Sequence, residues 1–368
     1  MIDIQVLLTE IETVGGPENI NWSEHDISTA DLGTENIRSY WHKQIHKNRK
    51  PVWFSIRTGG VNLSRALMRY AIVRDATLDH ADFSYAQLTK VVLERSVLES
   101  ADFEGAELVD ADFTNSHLRN ANFEGADCEG INFEGADLRL ANLIGVNLLT
   151  AKNLKGVRWS EAILERTRLR RDQLGTEIGD QATGDWEEAR RAYLALKNNF
   201  KTIGQYEDAS WAYTKERDME RRTHKPLFAK RYHDHEVSSL PAEGFRKRLM
   251  LFAFYFRHSI KYLADTLYKY SCNFGESVGR IIFWTAVLIM GYAFLYGIFS
   301  SVGACGIPTY SAFDLLVYSL SATVSANVNG IETLNNWGKF FTATEGVLGI
   351  AAFGLVMFVL GNRINRDA

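Results

Sequence analysis

Read in fives from Val61, the chain gives VNLSR, ALMRY, AIVRD, ATLDH, ADFSY and so on to ANLIG and VNLLT, 18 consecutive units without a gap. The third position of each unit is Leu, Phe, Met, Val or Cys, and the first is Ala, Val, Ser or Ile. A period of five fits neither the 3.6 of a helix nor the 2 of a strand, so neither can bury this pattern. A coil that turns one corner per unit can. After Lys152 the register is lost and the pattern turns helical. From Asp185 to Arg222 apolar residues recur at spacings of three and four, broken at Gly204. Asp185 and Glu188 form a capping pair. Trp186, Tyr193, Leu196 and Phe200 share one face, answered by Tyr206, Ala209, Ala212 and Tyr213. From Phe245 to Tyr270, FRKRLMLFAFYFRHSIKYLADTLYKY sets bulky apolar residues beside Arg257 and Lys261. Its uncharged core is too short to span a membrane, and it suits a helix lying on one, with a buried soluble helix as the alternative.

Two later stretches are long enough to span. Ile281 to Ser301 is 21 residues without a charge, about 31 Å as a helix. Phe340 to Leu360 carries Glu345 as its only charge. Between them, Ser311 and Asp314 form a capping pattern after Pro308, and SAFDLLVYSLSAT reads as a helix of about three turns. The small polar stretch SATVSANVNGI then leads back to the second span.

The run of fives resembles the pentapeptide-repeat family over residues 61–150. That resemblance implies a right-handed quadrilateral β-helix, four units per coil, with Leu63, Leu78, Phe83, Leu88, Phe103, Phe113, Phe123 and Phe133 in its core. Cys128 takes a core slot as a small hydrophobe. The repeats carry 15 acids and 7 basic residues. Some members of the family resemble DNA in shape and charge; for a rod tethered to a membrane we expect a solvated wall and no nucleic-acid partner. The stretch 185–222 is similar to one tetratricopeptide helix pair, which cannot bury its own face and should pack on the solenoid, another subunit or a partner.

Span, short helix, polar loop, span: from Asn273 to Arg366 this order resembles the two-span pore-loop channels of the potassium-channel superfamily. The resemblance implies a homotetramer around a pore, with inorganic cations and membrane lipid as its partners. Ser325, Ala326, Asn327, Val328 and Asn329, approached through Thr323, align with the filter, and both filter glycines are asparagine. Asn tolerates the left-handed backbone that such a filter uses. Its amide holds a dehydrated ion less strictly than a cage of carbonyls, so the expectation is a cation pore with weak potassium/sodium discrimination. The alternative is a degenerate loop that conducts nothing. EGVLG, Glu345 to Gly349, looks like the family's start of the inner helix, with Gly349 or Gly354 as gating hinge and close helix packing as the alternative reading.

Charge orients the chain. Eleven Lys and Arg against four acids lie between Arg221 and Tyr270, and Arg363 and Arg366 follow the second span. Between the spans Lys339 stands against Asp314 and Glu332. Both termini are therefore expected in the cytoplasm, and the protein in the plasma (inner) membrane. The first residues lack the basic start of a cleaved signal. Cys128, Cys272 and Cys305 are scattered across compartments, which argues against an intrachain disulfide framework. His42 with His46, and His233 with His235, share spacings that suit a metal but have no third ligand nearby, so no metal site is expected. No phosphate loop or nucleophile elbow is present, so neither an enzyme nor a cofactor is expected.

The domain plan is a mixed fold: a cap over 1–60, a pentapeptide β-solenoid over 61–155 and a helical linker with a hairpin over 156–240. An interfacial helix over 241–272 and a two-helix transmembrane pore domain with a pore helix over 273–368 complete it. The functional expectation is a cation channel gated by its cytoplasmic solenoid and helix pair, which would sense a cytoplasmic protein or ligand. The alternatives are a membrane-anchored scaffold and a triggered depolarising effector.

Overall fold

The computed structural model describes residues 61–226, 231, 245–304, 306–326 and 331–367, without the side chains of 245–247 and 362–367. The proposed cap, the four histidines with metal-like spacing, Cys305 and Asn327 to Asn329 lie outside the described residues. The chain divides into two units, residues 1–223 and 224–368.

In the first unit the fives close into a square coil. Parallel bridges join Asn62 to Asp82, Leu67 to Gln87, Ile72 to Val92 and Thr77 to Val97, a constant offset of 20 residues and hence four units per turn. The expected core is in place: the first and third residues of each unit point inward and are buried almost throughout. Phe83, Phe103 and Phe123 stack with ring centroids 4.9 and 5.0 Å apart, and Phe113 stacks on Phe133 at 5.5 Å. Such contacts stabilise beyond the area they bury. Where a first position is polar its hydroxyl is satisfied by the coil below: Ser96 donates to the Val73 carbonyl and Ser116 to that of Leu93, each at 2.7 Å. From Arg65 to Gly145 each corner has φ > 0 at the fifth residue, as in a type II turn. Tyr85 adopts 58° there and Gly105, one coil on, 62°. A Cβ on Gly105 would run into the Tyr85 ring at 2.6 Å.

The coil does not end at residue 155, and the stretch after Lys152 is not helical. Asn132 pairs with Asn153, Asp137 with Arg158, Asn142 with Ile163 and Asn147 with Arg168, an offset of 21. One inserted residue near Ala151 shifts the reading frame, and KNLKG, VRWSE, AILER and TRLRR continue the coil. Its interior is unbroken, with Leu154, Val157, Trp159, Leu164, Thr167 and Leu169 buried.

A short helix α1 (Gly179–Ala182) and the hairpin of α2 (Trp186–Thr202) and α3 (Tyr206–Thr223) follow. Of the partners open to this hairpin, it packs on the solenoid. Tyr193, Leu196, Phe200, Ala209 and Ala212 join the same apolar core as the repeats, whereas Tyr206 is exposed. Asn199 donates to the Thr167 carbonyl at 2.8 Å. Asp185 caps α2 by accepting from the amides of Glu187 and Glu188. The Glu188 side chain does not reach back to close a capping box; it binds Arg139 at 2.9 Å and Arg158 at 2.5 Å. Both guanidiniums also pair with Asp137, and although burial works against its charge they hold that carboxyl below the usual range. Asp180, within the same cluster, behaves oppositely. Burial pushes its carboxyl up to about 7 against the hydrogen bond from the Trp159 amide, and Arg158 Nε is 4.0 Å away.

The second unit is built on three long helices. Residues 245–272 form one helix, α4 (Phe245–Cys272). Leu249, Phe252, Phe256, Ile260, Leu263, Leu267 and Tyr270 are exposed along it at spacings of three and four, while Phe254 and His258 are buried. α5 (Val278–Ile298) and the 336–361 part of α7 (Asn336–Asp367) are long and apolar enough to cross a membrane. Within the unit, 17% of each apolar window is buried. The first helix begins three residues before the uncharged run and stops at Ile298, because Ser277 caps it and Ser300 turns to a φ of 44°. Between α5 and α7 lie β1 (Val302–Ala304), β2 (Ile307–Pro308), α6 (Ala312–Thr323) and β3 (Glu332–Thr333).

Candidate functional site

The three short strands position α6. β2 and β3 both pair antiparallel with β1, in the order β2-β1-β3. The chain therefore leaves one sheet after β2, forms α6 and is back at the same sheet at β3. The Ser311 side chain caps α6 by accepting from the Asp314 amide, and the Asp314 carboxylate accepts from the Thr309 hydroxyl at 3.3 Å. At the far end Ser325 takes a φ of 55°, and the Ala326 amide donates to the Ser321 carbonyl at 2.8 Å. This is a left-handed stop of the kind that ends many helices.

Glu345 holds the end of α6 in place. Its side chain is fully buried and faces hydroxyls from both other elements. Tyr296 of α5 donates to Oε2 at 2.8 Å. Ser319 of α6 donates to Oε1, and Thr323 Oγ1 lies 3.1 Å from the same oxygen. Around this centre Thr342 lies 3.3 Å from the Tyr296 hydroxyl and 3.1 Å from that of Tyr318, and Tyr292 donates to Thr344 at 3.0 Å. A carboxyl removed from water is costly unless its oxygens are met, so three helices that meet them are held in one arrangement. The sequence reading picked out Glu345 and Thr323 but missed Tyr296, Ser319 and Thr342. The available signal was polar spacing within apolar helices: Tyr292 and Tyr296, Ser319 and Thr323, and Thr342 and Glu345 each recur at three or four.

Gly349 and Gly354 differ. A Cβ on Gly349 would overlap the Thr323 carbonyl and side chain, whereas one on Gly354 would meet nothing within 4 Å. α7 runs unbroken through both. Of the residues aligned with the filter, Ser325 and Ala326 follow directly on α6 and are exposed; Asn327, Val328 and Asn329 fall outside the described residues. Beneath the end of α6 is an apolar hollow of about 610 Å³ whose walls include Ile282 and Ile289 of α5, Val324, and Ile350 and Phe353 of α7. Among the described residues no group of His, Cys, Asp and Glu is placed to hold a metal ion.

Comparison with known proteins bears on the first unit. The family model described as pentapeptide repeats (8 copies) matches residues 59–95, 81–120, 96–127 and 116–152. No curated protein matches the chain. Among solved structures, a pentapeptide repeat protein from the Arabidopsis thaliana thylakoid lumen is 31% identical, covering 25% of this chain and 67% of that one, with a TM-score of 0.20. Rfr23, a pentapeptide repeat protein from the cyanobacterium Cyanothece, is 20% identical over 47% of this chain and 99% of its own, with a TM-score of 0.17. HetL, a pentapeptide repeat protein involved in heterocyst differentiation regulation in a Nostoc cyanobacterium, is 18% identical over 48% of this chain and 78% of its own, with a TM-score of 0.16. At these TM-scores the likenesses carry no functional argument. Residues 59–152 are a pentapeptide-repeat domain, in a chain that also contains two helices long and apolar enough to cross a membrane.

Proposed function

We propose that the chain is the subunit of a homotetrameric membrane channel that conducts cations with weak discrimination between potassium and sodium, and that its pentapeptide-repeat unit controls opening. The observation that carries this reading is the re-entrant α6, tied through Ser319 and Thr323 to Glu345 on α7 and through Glu345 to Tyr296 on α5. A short helix that returns to its own starting sheet directs the negative end of its dipole at the polar stretch that follows it. Four such ends around an axis favour cations. The apolar faces of α5 and α7 and the hollow beneath α6 support assembly, since lipid or further copies are needed to cover them. Gly349 serves close packing against Thr323, which leaves Gly354 as the position free to bend. On this reading the basic excess of 221–270 sets both termini in the cytoplasm. The exposed stripe of α4 rests on the inner membrane surface.

Purified protein in planar bilayers tests the proposal. A channel gives unitary currents, and a membrane-anchored scaffold gives none under any ion gradient. Deleting residues 1–240 should change open probability and leave unitary conductance alone; an unchanged open probability would remove the solenoid from gating.

A further inference from the structure

The repeat wall is acidic, and most of its arginines are matched: Arg74 with Glu94, Arg95 with Asp75, and Arg139 and Arg158 with Asp137 and Glu188. Arg166 and Arg168 break that rule. They belong to the last two units of the coil, AILER and TRLRR, where Thr167 and Leu169 point into the core and leave the two arginines exposed. Arg166 occupies a corner with φ of 60°, and Arg168 is fixed by its bridge to Asn147. Among the described residues neither guanidinium has a carboxylate at ion-pair distance. One coil below them stand Gly145 and Asn147, which are uncharged, and a Cβ on Gly145 would meet only open space.

Both arginines line an open cavity of about 890 Å³ between the last coil and the turn of the α2–α3 hairpin. Its other walls are Gly145, Asn147, Leu149, Thr202, Ile203 and Gln205, with no carboxylate among them. The Gln205 Oε1 atom is buried with no hydrogen-bond partner among the described residues. The volume is that of a small-molecule site, roughly 300–1,000 Å³. Two guanidinium forks lining one cavity with no carboxylate among its walls suit a multi-oxygen dianion, which accepts paired N–H bonds from each fork. Leu149 and Ile203 offer apolar surface for a flatter remainder, and the Gln205 amide offers it a polar contact.

We propose that this cavity binds a phosphorylated small molecule of nucleotide size, with Arg166 and Arg168 gripping the phosphate. The site lies wholly in the first unit, so it stands or falls independently of conduction.

Isothermal titration of the full-length chain in detergent micelles with ADP, pyrophosphate, sulfate and adenosine tests it. ADP and pyrophosphate should bind saturably at one site per chain, and adenosine should not. The paired change Arg166→Gln and Arg168→Gln should weaken ADP at least about tenfold, and Arg168→Lys, which keeps the charge but loses the fork, should fall between. Arg119→Gln removes the same charge from the repeat wall and should leave binding intact. A thermal unfolding midpoint equal to that of the parent chain shows that the double variant is folded. Silence from both ADP and pyrophosphate, sulfate binding as tightly as pyrophosphate, an unaffected double variant, or an equal loss in Arg119→Gln would each overturn the proposal.

Discussion

The two units solve burial in opposite ways. The solenoid and its hairpin enclose their apolar side chains within one chain, from Val61 to Met219, in a single continuous core. The membrane-type unit turns outward side chains such as Phe283, Phe294, Ile350 and Phe353, and draws its polar groups inward around Glu345. The first unit therefore carries its stability in its own packing. The second leaves most of its two apolar helices uncovered, and its internal order comes from hydroxyls that meet Glu345 and from a small cluster that includes Tyr296, Tyr318 and Phe341.

The contrast breaks most visibly at Phe113. Phe113→Ala removes a ring packed against Phe103, Phe123 and Phe133, and should destabilise the first unit by about 3–5 kcal/mol. Calorimetry on the full chain should show that unit's transition moving down while the second unit's assembly is unchanged. The converse change is Glu345→Ala, which strips the acceptor from Tyr296, Ser319 and Thr323 at a cost of about 3 kcal/mol. It should abolish unitary currents with the first unit's transition unmoved, and Glu345→Gln, which keeps an acceptor, should retain a measurable part of them.

The third prediction turns on pH. Asp180 has a folded-state value of about 7 against an ordinary 3.8, so the fold favours its protonated form. The stability this contributes is complete below 3.8 and is lost as pH rises through about 7. Asp180→Asn, which keeps an acceptor for the Trp159 amide, should raise the first unit's stability at pH 8 by on the order of 2 kcal/mol and by much less at pH 5. An equal gain at both values would place the ionisation elsewhere. The smallest effect separates the two glycines: Gly349→Ala should cost about 1–2 kcal/mol by pressing on Thr323. Gly354→Ala should leave stability nearly unchanged and lower open probability.

How much the sequence disclosed follows the same division. The five-residue period excluded a helix and a flat strand, and the resemblance it carries to the pentapeptide-repeat family implied the core positions from Leu63 to Phe133 that the structure buries. The end of the coil could not, because one residue inserted near Ala151 shifts the frame and makes four true units look irregular. Arg166 and Arg168 were hidden by that shift. The corner residues were equally obscure, since Arg65, Tyr70 and Lys90 take a left-handed backbone that their side chains do not advertise. In the second unit length and apolarity picked out the two helices long enough to span; the caps at Asp185 in the first unit and Ser311 in the second were legible because capping is local. The sheet to which the chain returns after α6 was not, because strands of two or three residues leave no periodicity. Glu345 was visible as a lone charge in an apolar run; that Tyr296 and Ser319 meet it depends on how three helices pack.

The central claim is that four copies surround a wet passage narrowed by asparagine side chains where a potassium filter has bare glycine. A reversal potential measured on purified channels between equal concentrations of potassium on one side and sodium on the other tests it directly. The account predicts a value near zero; a large potential of the sign set by the potassium gradient, or no current at all, would contradict it.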